Sequence, residues 1–173
     1  RVAAGRVADI GTGTGALALS LAQEGGFEQV IAVDLSAAAL ALAAENRRAS
    51  GLPVTLVRGD LCGPLAAGSL DALVSNPPYL SAGEYAVLDA SVRGWEPAAA
   101  LVSGEDGLEA TGRLLDDGRR VVRPGGWVAI EVDSARAGAC ARRAGELGWD
   151  AVAIHADLYG RERYLLAQRS ATR

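Results

Sequence analysis

Five residues, Gly11-Thr12-Gly13-Thr14-Gly15, stand between a short apolar run and an alanine-rich one, and they leave this chain few folds to choose from. Val7-Ala8-Asp9-Ile10 reads as a buried strand, and residues 16–22 read as a helix that stops near Gly25-Gly26. Glycines at such a junction let the backbone turn tightly and approach a ligand. Strand, glycine turn and helix in direct succession form the opening unit of a doubly wound α/β sheet.

The rest of the chain keeps the alternation. Val30-Ile31-Ala32-Val33 is a short strand ending in Asp34. Ser36 suits a helix N-cap, the alanine-rich segment to about Ser50 suits a helix, and Gly51 suits its stop. Residues 54–57 and 71–74 are two more strands. Ser81-Ala82-Gly83-Glu84 has capping-box spacing, which predicts a short helix through Leu88. Residues 90–104 show no clear period, and so long a connection is a candidate lid. Leu108, Thr111, Leu115 and Val122 mark one face of a helix expected to end at Pro124-Gly125-Gly126. Residues 127–132 form a fifth strand, residues 135–147 a helix stopped by Gly148, and residues 151–154 and 164–167 the last two strands. A parallel crossover needs a dozen residues or more, so the short connection between these two makes the pair antiparallel. The expected fold class is α/β: a Rossmann-like, doubly wound, seven-stranded and mostly parallel sheet, closed by a hairpin. With 173 residues and no internal repeat, the chain is expected to be one domain over 1–173.

Composition narrows the function classes. A hydrophobic share of 50% with 22% charged residues excludes a disordered chain. All the basic residues are arginine, and the net charge of -4 argues against a strongly electrostatic nucleic-acid binder. Cys62 and Cys140 match no metal or redox spacing, so no metal site is expected and both read as reduced thiols of a cytoplasmic protein. No apolar run is long enough to cross a bilayer, and no signal peptide opens the chain.

Three polar features sit at strand ends, where open α/β sheets bind ligands. Asp34 lies about 20 residues beyond the glycines, placed to accept hydrogen bonds from two ribose hydroxyls. Gly11, Gly13 and Ala16 also fit a dinucleotide pattern, so the loop alone does not separate a nicotinamide cofactor from S-adenosylmethionine. Asp60, in Arg58-Gly59-Asp60-Leu61, is either a plain turn residue or faces an adenine with Leu61 against the ring. Ser75-Asn76-Pro77-Pro78-Tyr79 is the most distinctive stretch. Two prolines fix φ near -65° and remove two N–H groups, and the asparagine before them is pushed out of the helical region. The result is a rigid turn carrying a side-chain amide that both donates and accepts.

In this order, the glycine loop, Asp34, Gly59-Asp60 and Asn76-Pro77-Pro78-Tyr79 resemble the class I S-adenosylmethionine-dependent methyltransferases. Further stretches resemble the HemK/PrmC family of peptide chain release factor glutamine methyltransferases. These are Val92-Arg93-Gly94-Trp95-Glu96-Pro97, Gly104-Glu105-Asp106-Gly107-Leu108, Ile130-Glu131 and Asp157-Leu158-Tyr159-Gly160-Arg161-Glu162-Arg163. Val132-Asp133 departs from the Ile-Gly expected after the glutamate. The resemblance covers the family's catalytic domain only; its helical N-terminal domain is expected to be absent here.

The resemblance implies S-adenosylmethionine as cofactor, held by Asp9, Gly11, Thr12, Gly13, Thr14, Gly15, Asp34, Leu35, Asp60, Leu61 and Asn76. It implies Asn76, Pro77, Pro78 and Tyr79 as the catalytic turn that also receives a glutamine amide, with Arg93 and Glu96 as substrate contacts or as an internal ion pair. The implied partner is a release factor, favoured over nucleic acid and met by a cytoplasmic monomer with no membrane. Three competing readings stand beside it: methylation of exocyclic amines in DNA or RNA, a non-catalytic S-adenosylmethionine-binding module, and a nicotinamide oxidoreductase. His155, the sole histidine, lies in a predicted strand and reads as structural.

Overall fold

The computed structural model describes residues 5–89, 91 and 97–171. Seven strands, β1 (Arg6–Ile10), β2 (Gln29–Asp34), β3 (Val54–Arg58), β4 (Leu70–Ser75), β5 (Val122–Glu131), β6 (Trp149–Ala156) and β7 (Glu162–Arg169), form one sheet in the order β3-β2-β1-β4-β5-β7-β6. The pairings from β3 through β5 are parallel, and β7 runs antiparallel to both its neighbours. The helices are α1 (Ala16–Glu24), α2 (Ala37–Ser50), α3 (Ala82–Ala86), α4 (Ala98–Leu101), α5 (Glu109–Val121) and α6 (Ala137–Glu146).

Alternate strand residues feed two cores, as the two-residue period of a strand requires. Val7, Val30, Ala32, Val54 and Ala72 join Ala18 of α1 on one side. Ala8, Ile10, Val33, Leu73, Val128 and Ile130 join Leu114 and Leu115 of α5 and Cys140 of α6 on the other. The sheet is therefore covered on both faces, as the alternation of elements predicts.

Local chemistry explains the element ends. Ser36 accepts from the Ala39 N–H as N-cap of α2, and Gly51 closes that helix at φ 70°. The Ser81 and Glu84 side chains form the predicted capping box at α3, though the helix ends at Ala86 rather than Leu88. Gly118 of α5 lies under the Trp149 ring, whose Nε1 donates to the Leu115 carbonyl at 3.0 Å. Among the described residues both cysteines are free and buried, and no helix is long and apolar enough to cross a membrane.

One expectation needs correction. The helix before β5 does not end at Pro124-Gly125-Gly126: α5 stops at Val121, and β5 begins at once with Val122 paired to Leu70. The register then shifts until Ala72 pairs with Trp127, so the proline and glycines form an irregularity inside the strand. A proline is tolerated at a bulge because its missing N–H has no ladder duty there. Gly126 is needed because a Cβ would stand 2.7 Å from the Asp71 carbonyl oxygen. Of the segment without a clear period over 90–104, the second half carries α4 and a bridge between Leu80 and Val102. Residues 90 and 92–96 lie outside the described part.

Leu73 is fully buried on the central strand β4. Leu73→Ala should therefore cost about 2–5 kcal/mol through lost transfer energy and the cavity left behind. The urea midpoint should fall by the corresponding amount with the slope unchanged.

Candidate active site at the strand ends

The loops after β1, β2, β3 and β4 meet at the carboxyl edge of the sheet and are tied to one another. The Gly11 and Thr12 N–H groups donate to the Val33 carbonyl at 2.8 and 3.0 Å, which fixes the glycine loop against the end of β2. The Gly59 N–H donates to the Asp34 carbonyl at 3.0 Å, which brings the next loop alongside. Ser75, buried at the end of β4, donates from Oγ to the Ile10 carbonyl at 2.7 Å. That bond joins the residue before Asn76 to the residue before Gly11.

The glycine loop opens α1 without a side-chain cap, because the N-cap is Gly15 at φ 82°. A larger residue would be strained there by the positive φ and crowded, with its Cβ 3.1 Å from the Ala43 Cβ of α2. Asp9 replaces the missing cap from the strand beneath. Its Oδ2 accepts from the Ala18 N–H at 3.1 Å and from the Thr12 hydroxyl at 2.6 Å. Only 1% of Asp9 is exposed. Burial pushes its carboxyl up to about 6, against the two hydrogen bonds, with the Asp34 charge adding to the rise. Thr12 is buried with it, while Gly11 and Thr14 are exposed. The Thr14 carbonyl accepts from Asn46 of α2 at 2.9 Å.

Asp34 faces the loop directly. Its Oδ2 accepts from the Gly13 N–H and its Oδ1 from the Ser36 N–H, both at 2.8 Å. Each oxygen keeps acceptor capacity beyond one such bond. Leu35 beside it is 63% exposed. Asp60, read from sequence as either a turn residue or a ring contact, makes a 2.6 Å ion pair with Arg113 of α5 and is half-exposed. Leu61 sits at φ 45° and packs against the larger core.

Across the Ser75–Ile10 bond stands the Asn-Pro-Pro-Tyr turn. Pro77 is buried and Asn76 is exposed. No hydrogen bond among the described residues engages the Asn76 side-chain amide. Tyr79 is half-buried, with the Arg163 guanidinium 5.9 Å from its ring centroid. Gly107 abuts the Tyr79 backbone so closely that a Cβ would stand 2.4 Å from its carbonyl oxygen. Behind Gly107, Arg136 donates to the Asp106 carbonyl and to Glu84, each at 2.6 Å, and to Asp133 at 3.3 Å. Asp133, the departure after Ile130-Glu131, thus has a local partner. The Ser81 backbone N–H, Arg136 and the Ser81 hydroxyl hold the Glu84 carboxyl down to about 2.

The structure therefore gathers Asp9, the 11–15 loop, Asp34, Leu35, Asp60, Leu61 and the 76–79 turn at one end of the sheet. Arg93 and Glu96 lie outside the described residues. His155 is exposed on β6, opposite Tyr164. Among the described residues there is no group of histidine, cysteine and carboxylate side chains fit to hold a metal. Sequence reasoning missed the bond from Ser75 to Ile10 and the bracing by Arg113 and Arg136. A serine ending a strand, an arginine on a helix and an arginine just before one carry no local signal of their distant partners.

Known proteins can now be set beside this geometry. The model of the family "Methyltransferase small domain" matches residues 1–99. A protein from Deinococcus radiodurans named "Release factor glutamine methyltransferase" is 43% identical over 170 residues, 98% of this chain and 60% of its own. One of the same name from Moorella thermoacetica is 44% identical over 166 residues, 94% of this chain and 58% of its own. The chain thus spans three-fifths or slightly less of the length of these relatives. In fold, the crystal structure of a methyltransferase from Pyrococcus furiosus superposes with a TM-score of 0.75 at 21% identity, covering 98% of this chain and 78% of that one.

Asp9 yields a pH prediction. Its folded carboxyl titrates near 6, above the ordinary 3.8, so between these values the folded state holds the proton more tightly than the unfolded chain. Its contribution falls as pH rises from about 4 to 6 and then stays flat, a span of roughly 3 kcal/mol. Glu84 acts with the opposite sign at lower pH, its stabilisation being lost as pH falls toward 2. Urea unfolding of wild type and Asp9→Asn from pH 4 to 7 should show stability curves that diverge up to about pH 6, the wild type losing ground, and run parallel above it.

Proposed function

The chain belongs to the methyltransferase small-domain family, and on that premise we propose that it methylates the side-chain amide nitrogen of a glutamine in a peptide chain release factor, with S-adenosylmethionine as donor. The observation that carries this reading is the 2.7 Å bond from Ser75 to Ile10, which sets a rigid Asn-Pro-Pro-Tyr turn beside a glycine loop. The name borne by the Deinococcus and Moorella relatives supports the choice of substrate. The same reading makes the protein a cytoplasmic monomer.

The cofactor fits the residues present. A Cβ built on Gly11 or Gly13 would meet no protein atom within 4 Å, so the space over the loop is open. Gly11, Gly13 and Thr14 border that space, and Asp34 is oriented by Gly13 and Ser36 to accept ribose hydroxyls. Leu35 and Leu61 offer apolar surface, and Asp9 and Gly15 hold the loop's shape from behind. Bound there, S-adenosylmethionine supplies an electrophilic methyl group on a sulfonium.

An amide nitrogen is a weak nucleophile, because its lone pair is delocalised into the carbonyl. The work of the turn is therefore placement and polarisation. The Asn76 side-chain oxygen and the Pro77 carbonyl each accept one N–H of the substrate amide, which turns the nitrogen's free face toward the donor. Tyr79 packs on the planar amide. As the N–C bond forms the methyl–sulfur bond breaks, the donor leaves as its neutral thioether, and one N–H proton is lost to a turn acceptor or water, the acceptors on the turn holding the positive charge until it goes. Orientation of this kind is worth up to ~7–11 kcal/mol of barrier.

Asn76→Ala should lower kcat by about 100-fold or more, the scale seen when one positioned polar group is removed. Affinity for S-adenosylhomocysteine should stay within about threefold, and normal turnover would sink the mechanism. At 100 times its Kd that ligand should stabilise the fold by about 2.7 kcal/mol. In melting temperature that is roughly 5–10 °C for a domain of this size. Transfer from labelled donor to a release factor and to DNA or RNA, run side by side, tests the substrate: label in nucleic acid alone would overturn the reading.

A further inference from the structure

A glutamine whose amide reaches Asn76 brings its own backbone to within one side chain's length of the turn. The surface flanking Tyr79 must then meet polypeptide, and the turn between β6 and β7 is built for such a contact. Leu158 and Tyr159 at its tip are 102% and 85% exposed. They are not loose. The Asp157 Oδ1 accepts from the Tyr159 and Arg161 N–H groups at 2.8 and 3.0 Å, and its Oδ2 accepts from Arg161 Nε at 3.0 Å. The Asp157 N–H donates to the Arg161 carbonyl at 2.7 Å, and Gly160 completes the turn at φ 80°. Holding two large apolar side chains in water on so ordered a turn prepays the entropy that a binding surface must lose.

The tip is also continuous with the reaction turn. Arg161 lies over the Tyr159 ring at 5.4 Å, and Arg163 lies over the Tyr79 ring at 5.9 Å. Asp157 Oδ2 faces both guanidinium groups, at 3.0 Å from Arg161 and 4.0 Å from Arg163. Aromatic, arginine, carboxylate, arginine and aromatic form one array from the exposed tip to the catalytic turn. Because Arg163 covers one face of Tyr79, that ring is held from the hairpin side. The β5 edge fixes the base of the array, since Val132 N–H donates to the Arg163 carbonyl at 2.8 Å and Ser134 Oγ to the Glu162 carbonyl at 2.8 Å.

We infer that the β6–β7 tip is a docking lip for the polypeptide flanking the target glutamine, with Leu158 and Tyr159 as its contacts and the Asp157–Arg163 pair as its link to Tyr79. The inference rests on the proposed protein substrate. Tyrosine and arginine, the residue types at positions 159 and 161, are enriched among the hot spots of such contacts.

The test uses the full chain with both tip residues changed, Leu158→Ser with Tyr159→Ser. Both are exposed, so the melting temperature should hold. KM for the release factor should rise about 10-fold, with the effect on KM rather than kcat and with S-adenosylhomocysteine affinity unchanged. A photo-crosslinking residue placed at position 159 should capture the substrate peptide that contains the target glutamine. Wild-type KM in the double variant, or capture of a distant peptide, would overturn the lip alone. Failure of the wild-type chain to methylate a release factor would overturn the functional reading and the lip with it.

Discussion

The pairing of β1 with β4 is the constraint on which the site depends. These strands run parallel in a register that sets Ile10 beside Ser75, and the buried Ser75 hydroxyl closes on the Ile10 carbonyl. One residue later the two chains diverge, into the glycine loop and into the Asn-Pro-Pro-Tyr turn. The register is defended by burial on both faces. A slip of one residue would move Val7 and Ala72 into the core of Ala8 and Leu73, and the reverse. The packing of the sheet therefore sets the separation of the two loops, and neither loop has to specify it.

Above that base, carboxylates shape the loops by accepting backbone N–H groups. Asp9 caps α1 through Ala18, Asp34 orders Gly13 and Ser36, Glu84 closes its capping box, and Asp157 builds the last turn. Their environments differ in one decisive way. Asp9 is buried and its carboxyl is raised, whereas Glu84 and Asp157 are held low by their donors. The arginines complement them. Arg136 reaches acceptors on three separate segments with one side chain, which a planar guanidinium fork can do and a single ammonium does less well. An arginine-only basic set thus serves as cross-bracing around the turn.

The fold was legible because strand and helix periods, glycine stops and capping boxes are local signals. Ser36, Gly51 and the Ser81–Glu84 box behave as their spacing predicts. The start of β5 was not legible, since Pro124-Gly125-Gly126 is a strong breaker signal that a tertiary pairing of Leu70 with Val122 overrides. In the site, residues of the loops themselves could be read, because glycine, proline and a strand-end aspartate have meaning in sequence. Their braces could not. Ser75 acts on a residue 65 positions away, Arg113 on one 53 away and Arg136 on one 52 away. Contacts at such separations leave no period or spacing to find.

The antiparallel last strand does more than close the sheet. A parallel strand in the place of β7 would start at the opposite edge, and the connection leading into it would lie far from the loops. Running antiparallel between β5 and β6, β7 instead begins at the carboxyl edge, with Tyr164 paired to Glu131. The β6–β7 turn is thereby delivered to the same end as the Asn-Pro-Pro-Tyr turn, and Arg163, one residue before Tyr164, comes to lie over the Tyr79 ring. Direction alone accomplishes this, before any side chain is chosen. The choice of side chains, with arginine against tyrosine and aspartate between two arginines, then sets the hairpin against the turn at which the amide is proposed to enter.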